Sequence, residues 1–275
     1  MKIVNHLLYD DNDQPVLFKP TPNKGGSFKP QYIVMHNTAA TKAAGSIDWF
    51  LSPASKASAH LLIDRDGSVV QFAPFNVITW HAGASRWKGL SGLNKHAIGI
   101  ELVNGSRLKK SGRQWICPED GHIVPEEEVI MAAHKHEREG FAWHVYAAEQ
   151  LQVAVEIAKQ LAATYNIRDI IGHDDIAPVR KTDPGPAFPM ENFRLQVLGR
   201  KETEPHILRT ATRVNIRSGP GTHFPLIAKP LPKNTVVQVL QESQTYCLVH
   251  LPGDAGFDTE LEGWVYKKYL VAIGW

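Results

Sequence analysis

Short apolar runs, each closed by a polar or turn-forming residue, dominate the hydrophobic pattern of residues 1–189. Runs of this length favour β-strands buried inside a sheet. Residues 145–165 differ, because their apolar positions recur at intervals of four and three, which predicts a helix with one buried face. The other predicted elements are strands at 32–35, 60–63, 68–72, 97–103 and 168–171 and a short helix at 45–51.

Strands that alternate with helices are typical of an α/β domain, so we predict a mixed central sheet with flanking helices. Asp66 and Gly67 separate two apolar runs and predict a tight hairpin turn in which both residues have positive φ. Residues 1–30 are rich in Pro, Asn, Asp and Gly and are predicted to form an extended arm. Residues 105–143 are polar and irregular and are interpreted as an insertion, with some helix at 125–139.

The pattern changes after residue 189. Residues 190–207 are predicted to be a linker, and residues 208–275 a small all-β barrel, because short β-type runs alternate there with turns. The sequence therefore predicts two folded domains, 1–189 and 208–275. The predicted strands of the barrel are 213–217, 236–240, 247–250 and 263–266.

Composition narrows the range of functions. The 275 residues are 43% hydrophobic, enough for two cores, and the formal net charge of +2 gives no field that would indicate a nucleic-acid partner. Cys117 and Cys247 lie far apart and outside any metal-binding spacing, so both are predicted to be free thiols. No segment approaches the ~20 apolar residues of a membrane span, and the N-terminus lacks the apolar stretch of a signal peptide. We therefore expect a chain that is synthesised in the cytoplasm as a soluble protein.

Two histidines, His36 and His173, each follow the end of a predicted strand. Sites in α/β sheets form at the carboxyl ends of strands, so we expect these imidazoles to meet. The loop after His173 adds Asp174, Asp175 and Asp183. Catalytic zinc takes three protein ligands, so the two histidines and one of these aspartates predict a zinc site. Asp183 is preferred, because the other two lie beside His173 and suit capping of the following turn.

Glu101 stands in an otherwise apolar predicted strand, opposite in phase to Ile98, Ile100 and Leu102. A carboxylate in such a place is costly unless it has a partner or a function. Glu101 is therefore interpreted either as the partner of an Arg or Lys, or as a general base.

Five motifs follow one another between residues 30 and 188: YIVMHNTA (32–39), SAHLLIDRDG (58–67), WHAGASRW (80–87), IGIEL (98–102) and GHDDIAPVRKTDPG (172–185). With these motifs the chain resembles the zinc-dependent N-acetylmuramoyl-L-alanine amidases, a family shared with phage amidases and peptidoglycan recognition proteins. The resemblance implies hydrolysis of the amide between N-acetylmuramic acid and L-alanine, with Zn²⁺ held by His36, His173 and Asp183. It further implies Glu101 as the catalytic base and Lys181 as the group that stabilises the oxyanion.

The chain departs from the family pattern at one position and extends it at another. Some relatives carry a catalytic Tyr where Ala59 stands, so the role of the base rests more heavily on Glu101. The insertion 105–143 is longer than the family core requires. His134 and His136 within it would diverge on a helix, which disfavours a second metal site.

Several residues are candidates for binding the substrate. Trp80, His81 and Trp87 are expected to line the groove, since aromatic faces pack well on sugar rings and peptide stems. Asn37 and His60 are further candidates, although a structural or supporting role is favoured for both.

The C-terminal part resembles a bacterial Src-homology-3-like wall-binding domain, through RVNIRSGPG (213–221) and EGWV (262–265). This resemblance implies peptidoglycan as the partner and action on the cell wall, in the periplasm or outside the cell, after export or lysis. Three alternatives stay open at this stage. They are a peptidoglycan-binding protein without activity, a cytosolic amidase that recycles soluble muropeptides, and a zinc peptidase that cuts within the stem peptide.

Overall fold

The computed structural model describes residues 1–200, 206–243, 245–251 and 261–272. The chain divides into two compact units, an N-terminal unit (Met1–Thr203) and a C-terminal unit (Glu204–Trp275). Within the described residues, none of the helices is both long and apolar enough for a membrane crossing.

The N-terminal unit combines short strands with helices. Its strands are β1 (Lys2–Val4), β2 (Leu7–Tyr9), β3 (Leu17–Phe18), β4 (Lys24–Ser27), β5 (Tyr32–Asn37), β6 (Leu61–Ile63), β7 (Val69–Gln71), β8 (Val77–Thr79), β9 (Arg86–Trp87), β10 (Leu90–Ser91), β11 (Ala97–Leu102), β12 (Lys109–Ser111), β13 (Gln114–Ile116), β14 (Ile123–Val124), β15 (Val129–Ala133), β16 (Gly140–His144) and β17 (Asp169–Gly172). Its helices are α1 (Ala43–Leu51), α2 (Ala148–Thr164), α3 (His173–Ile176) and α4 (Met190–Leu198).

A six-stranded mixed sheet with the order β17-β5-β11-β6-β7-β3 forms the centre of this unit. The four strands from β17 to β6 run parallel, and β7 is antiparallel to β6. Every residue of β5 is buried, because core side chains cover both of its faces. Ile33 and Met35 join the core cluster that contains α2, whereas Val34 joins a second cluster. The predicted α/β class with a mixed sheet is confirmed.

Helix α2 packs on the sheet with the apolar stripe that the sequence predicts. Ala154, Ala158 and Leu161 of that stripe are fully buried, which fits a spacing of four and three residues. Gln150 lies on the same face and is also buried, and its amide donates to the carbonyls of Ile63 (2.9 Å) and Val103 (3.0 Å). The polar side chain thereby satisfies backbone groups at the ends of two strands.

The hairpin between β6 and β7 forms as predicted, but its turn differs. Gly67 has φ +84°, and Asp66 is not among the residues with positive φ. The backbone N–H of Gly67 donates to Asp64 (3.0 Å), and that of Asp64 donates to Ser68 (2.8 Å). The connection, residues 64–68, is therefore a five-residue loop that needs one left-handed residue instead of two.

The insertion is built of strands, so the helix predicted at 125–139 is wrong. Residues Glu126–Glu128 form one short 3-10 turn, and β15 then pairs with β16 from Val129↔His144 to Ala133↔Gly140. Trp143 on β16 is 1% exposed. Cross-strand pairing around this buried side chain outweighs the helix preference of residues such as Met131 and Ala132.

Residues Met190–Leu198, which the sequence pattern assigns to a linker, form helix α4. Phe193 is 1% exposed and lies 5.2 Å from the Phe188 ring between centroids. The Arg194 guanidinium donates to the carbonyl of Ile170 on β17 (2.7 Å). This helix belongs to the core of the N-terminal unit, and it ends at Gly199 with φ +72°. Residues 201–205 of the predicted linker lie outside the described residues.

The C-terminal unit contains a five-stranded antiparallel sheet with the order β21-β20-β19-β18-β22. Its apolar core includes Ile216, Val249 and Val265. Cys247 in this unit and Cys117 in the N-terminal unit are free thiols, as predicted. The described strand pairings show an open sheet, so the predicted barrel and its Src-homology-3-like identity stay predictions. The strands are β18 (His206–Thr210), β19 (Val236–Glu242), β20 (Tyr246–Leu251), β21 (Leu261–Tyr266) and β22 (Leu270–Ala272).

Candidate active site

Three neighbouring parallel strands bring the chemically distinctive residues to one edge of the sheet. In the register of β5 and β11, His36 lies directly opposite Glu101. In the register of β5 and β17, Met35 lies opposite Gly172, so His173 follows at the level of His36. The carboxyl ends of parallel strands share one edge, which is where α/β proteins build their sites.

A compact donor cluster forms from His36, His173 and Asp183. The two Nδ1 atoms are 2.9 Å apart, and the Asp183 Oδ2 atom lies 3.2 Å from that of His36 and 3.0 Å from that of His173. Ligand atoms around a tetrahedral zinc ion are about 3.3 Å from one another. The ligand atoms of these three residues therefore lie close enough to one another to hold a metal ion.

The hydrogen bonds of the outer ring nitrogens select the tautomer that metal binding needs. His81 Nε2 lies 3.1 Å from the carbonyl of Ala97, so this nitrogen carries a proton and donates it. His81 Nδ1 therefore accepts from His36 Nε2 across 2.9 Å. His173 Nε2 lies 3.3 Å from the carbonyl of Ala82, so this nitrogen also carries a proton and donates it. Both Nδ1 lone pairs are thus left free for the cluster.

Burial and mutual charge keep the cluster in the protonation state of a metal site. Burial first, and then the neighbouring His173, lower the pKa of His36 to about 4. Burial alone would raise the pKa of Asp183, but the adjacent His173 and His36 rings hold it well below its usual range. Neutral imidazoles beside an ionised carboxylate are the forms that bind a cation.

Glu101 is half-buried beside this cluster, and its Oε2 atom is shielded from solvent. Among the described residues, its Oε2 atom has no hydrogen-bond partner. Burial first, and then the charge of Asp183, raise the pKa of Glu101 to about 8, while Lys181 acts in the opposite direction. A carboxyl group with such a pKa exchanges protons near neutral pH. This geometry favours the interpretation of a general base over that of a structural ion pair.

The two aspartates beside His173 point away from the cluster. Asp175 Oδ2 accepts from the backbone N–H of Gly172 (2.7 Å) and caps α3. Asp174 Oδ2 is 2.9 Å from His134 Nε2, in the insertion. Of the three aspartates in this loop, the structure brings Asp183 to the histidines.

Three of the candidate substrate-binding residues are buried and engaged in hydrogen bonds. His81 supports His36, as described, and is 9% exposed. Asn37 donates to the carbonyl of Pro184 (3.2 Å), next to Asp183. His60 is fully buried and accepts from the backbone N–H of Gly99 (3.0 Å). These positions give all three a supporting role.

The two tryptophans remain candidates for contact with a ligand. Trp80 is 37% exposed, and Trp87 is half-buried on β9. Lys181 is half-buried and close enough to influence the pKa values of both His36 and Glu101.

Sequence reasoning missed two side chains that hold the site together. The Tyr146 hydroxyl donates to the carbonyl of Pro184 (2.7 Å). Arg180 donates to the carbonyls of Ala82 (2.9 Å) and Ala84 (3.1 Å) and so ties the two loops that flank His173. Arg180 lies within a motif, but its role depends on a contact between distant parts of the chain, for which no local signal exists.

Comparison with known proteins places the chain in a family. Residues 26–186, more than half of the chain, match the family model Amidase_2, described as N-acetylmuramoyl-L-alanine amidase. The chain is 35% identical over 150 residues to 1,6-anhydro-N-acetylmuramyl-L-alanine amidase AmpD of Escherichia coli (strain K12). It is 32% identical over 131 residues to N-acetylmuramoyl-L-alanine amidase AmiD of the same organism.

The matched regions cover only part of these relatives. The match spans 54% of this chain and 61% of AmpD, and 47% of this chain and 38% of AmiD. A solved structure of E. coli AmiD, in complex with the substrate anhydro-N-acetylmuramic acid-L-Ala-D-gamma-Glu-L-Lys, is similar with 30% identity and a TM-score of 0.45. That likeness covers 61% of this chain and 57% of the AmiD chain.

Proposed function

This chain belongs to the N-acetylmuramoyl-L-alanine amidase family, a family of amide hydrolases, and from that membership we propose that it is itself a zinc-dependent enzyme. Its reaction is hydrolysis of the amide that joins the lactyl group of N-acetylmuramic acid to L-alanine in peptidoglycan. The observation that carries the proposal is the donor cluster His36, His173 and Asp183, with Glu101 opposite His36 in the adjacent strand.

The donor set fits zinc. Two imidazole nitrogens and one carboxylate oxygen are ligands that zinc takes in catalytic sites, and three protein ligands leave a position open. His36, His173 and Asp183 would hold the ion. When bound there, zinc supplies Lewis-acid chemistry, which polarises a carbonyl group and makes water more acidic.

Glu101 moves the proton in this mechanism. Its carboxylate takes a proton from the attacking water while the water oxygen forms a bond to the lactyl carbonyl carbon. When the C–N bond breaks, Glu101 returns that proton to the nitrogen of the leaving L-alanine. The products are a free lactyl carboxyl group and a peptide with a free amino end.

Lys181 contributes positive charge close to the reacting carbonyl. Its ammonium group is close enough to His36 and Glu101 to influence both of their pKa values. It is the group in this chain that balances negative charge on the carbonyl oxygen in the transition state. Loss of one such stabilising group typically costs about 10²–10³ in rate.

The place of action follows from the C-terminal unit in this proposal. A wall-binding domain suits an enzyme that acts on the intact cell wall, which the chain would reach after export or lysis. A second candidate is a cytosolic enzyme that recycles soluble muropeptides. It is supported by the similarity to AmpD, whose name is 1,6-anhydro-N-acetylmuramyl-L-alanine amidase.

Digestion of purified sacculi and of soluble anhydro-muropeptides, followed by mass spectrometry, tests the reaction and separates the two candidates. We expect the wild type to hold about one zinc ion and to release intact stem peptides with L-alanine at the amino end. Glu101→Gln should keep the zinc and lose cleavage, whereas Glu149→Gln, on the exposed side of α2, should behave as wild type.

Other outcomes would contradict the proposal in distinct ways. Cleavage between residues of the stem peptide would identify a peptidase. A folded wild-type protein without zinc or cleavage, but with affinity for sacculi, would identify a binding protein. Cleavage of soluble fragments alone would support the recycling enzyme.

A further inference from the structure

The insertion contacts the loop that carries two of the three metal-ligand candidates. We define the insertion hairpin as β15, β16 and the turn 134–139 between them. His134 Nε2 lies 2.9 Å from Asp174 Oδ2, and Lys135 Nζ lies 2.8 Å from Asp174 Oδ1. Both oxygens of this carboxylate, one residue after His173, are therefore held by the insertion.

Asp174 connects the hairpin to both metal-ligand candidates of this loop. It follows His173 directly in the chain. Its backbone N–H donates to the carbonyl of Asp183 across 2.8 Å. A shift of Asp174 would therefore move His173 and Asp183 relative to each other.

Lys135 also binds the second aspartate of helix α3. Its ammonium group also contacts Asp175 Oδ1 at 2.5 Å. The other oxygen of Asp175 accepts from the backbone N–H of Gly172 (2.7 Å), at the end of β17. The hairpin thus fixes helix α3 at both of its aspartates.

The Trp143 ring packs against the backbone of the loop near Asp183. A Cβ atom at Gly185 would lie 2.8 Å from Trp143 Cζ3, so the backbone of the loop rests directly on the ring. The ring is itself oriented, because its Nε1 donates to the carbonyl of Ala132 (3.0 Å) and the His134 ring stacks 6.0 Å away.

Burial makes these contacts necessary. Asp174 is 3% exposed and His134 is 2% exposed. A carboxylate that is removed from water needs charged or hydrogen-bonding partners. Within the described residues, the side chains that act as these partners for the Asp174 carboxylate come from the insertion hairpin.

We propose that the insertion hairpin is a clamp for the metal centre, in which His134 and Lys135 are positioning residues that keep His173 and Asp183 at ligand spacing. This role presupposes the proposed zinc site. It gives the insertion a function in the reaction although it lies outside the central sheet.

The test measures zinc affinity by competition with a chelator, together with the visible absorption of the cobalt-substituted protein. We expect His134→Ala in the full-length chain to weaken zinc binding by about 10- to 100-fold, the usual effect of losing a group that supports a ligand. The cobalt bands should shift, and kcat for a muramyl peptide should fall while KM changes little.

Matched variants separate positioning from simple loss of structure. A glutamine amide reaches the place of the imidazole Nε2, so His134→Gln should restore most of the zinc affinity. His122→Ala removes an exposed histidine of the same insertion and should leave zinc affinity and cobalt bands unchanged. If His134→Ala does not fold, Lys135→Met, at a side chain that is 42% exposed, should still weaken zinc binding several-fold.

The results distinguish the clamp from the proposed function. If the wild type binds zinc and cleaves, and folded His134→Ala has the same zinc affinity and cobalt bands, the clamp is wrong and the amidase stands. If the wild type neither binds zinc nor cleaves, both proposals fail.

Discussion

Glu101 and His36 are direct partners in the register of two adjacent parallel strands, so their side chains leave the same face of the sheet one strand apart. The distance between the proposed base and a proposed metal ligand is therefore set by the hydrogen-bond ladder, not by a loop. A slip of one residue in β11 would turn Glu101 to the opposite face. The pairing of β5 with β11 is thus a condition for the chemistry.

Substitution of Gly99 should disturb His36 through His81. A Cβ atom at position 99 would lie 2.4 Å from His81 Cγ, and the ring cannot move without losing its hydrogen bond to His36. We expect Gly99→Ala to destabilise the protein by about 1–3 kcal/mol and to weaken zinc binding. Thermal unfolding and chelator competition measure the two effects.

Gly45→Ala is the matched control, since a Cβ atom there meets nothing within 4 Å and the residue lies inside helix α1. It should be neutral or stabilising by about 0.5–1 kcal/mol. Equal behaviour of the two variants would contradict a close contact between Gly99 and His81.

His81 is expected to act as a hydrogen-bond acceptor for His36, so the acceptor should matter more than the imidazole. His81→Asn places an oxygen near the position of Nδ1 and should keep zinc affinity within about tenfold of wild type. His81→Leu fills the space without an acceptor and should lose about 10- to 100-fold. Zinc titration of both variants decides this, and an equal loss would argue for a role of the ring itself.

The ionisation of Glu101 should make the stability of the metal-free protein depend on pH. Its pKa rises from 4.5 to about 8, because burial favours the neutral form. The neutral carboxyl therefore contributes its full stability below pH 4.5, and this contribution is lost as the pH rises through 8. Above that pH, Glu101→Gln should be more stable than wild type by about 1–3 kcal/mol.

Urea unfolding in the presence of a chelator measures this difference. Below pH 4.5 the gain of Glu101→Gln should vanish, and Glu149→Gln should show no comparable trend. A gain that is the same at both ends of the range would point to packing instead of ionisation.

Helix α4 should be necessary for the stability of the N-terminal unit. Phe193 is 1% exposed, so Phe193→Ala should cost about 3–5 kcal/mol. Leu195 on the same helix is 40% exposed, and Leu195→Ala should cost less than about 1 kcal/mol. Denaturant unfolding compares the two, and similar small effects would mean that α4 is an independent segment.

Local sequence patterns are sufficient to predict the secondary structure of a segment where its own residues determine that structure. The run Tyr32–Asn37 is apolar enough to be a buried strand in any α/β sheet, and the spacing in α2 allows one helical face to be buried. The motifs also pointed to His36, His173 and Glu101 as a group. Each of these signals is contained in a few neighbouring positions.

Patterns failed where a distant contact outweighs local preference. Residues 129–144 became a hairpin because Trp143 is buried in it, and Met190–Leu198 became a helix because Phe193 completes the core. The sequence alone determined the α/β class and the identity of the candidate site residues, since both depend on residue type and spacing. Only the tertiary structure decided which nitrogen of each histidine faces Asp183, that His81 supports the site, and that His134 lies against Asp174. The contacts of His81 with His36 and of His134 with Asp174 arise when segments more than 30 residues apart pack together. Hydrogen bonds and burial then select among the states that the sequence leaves open.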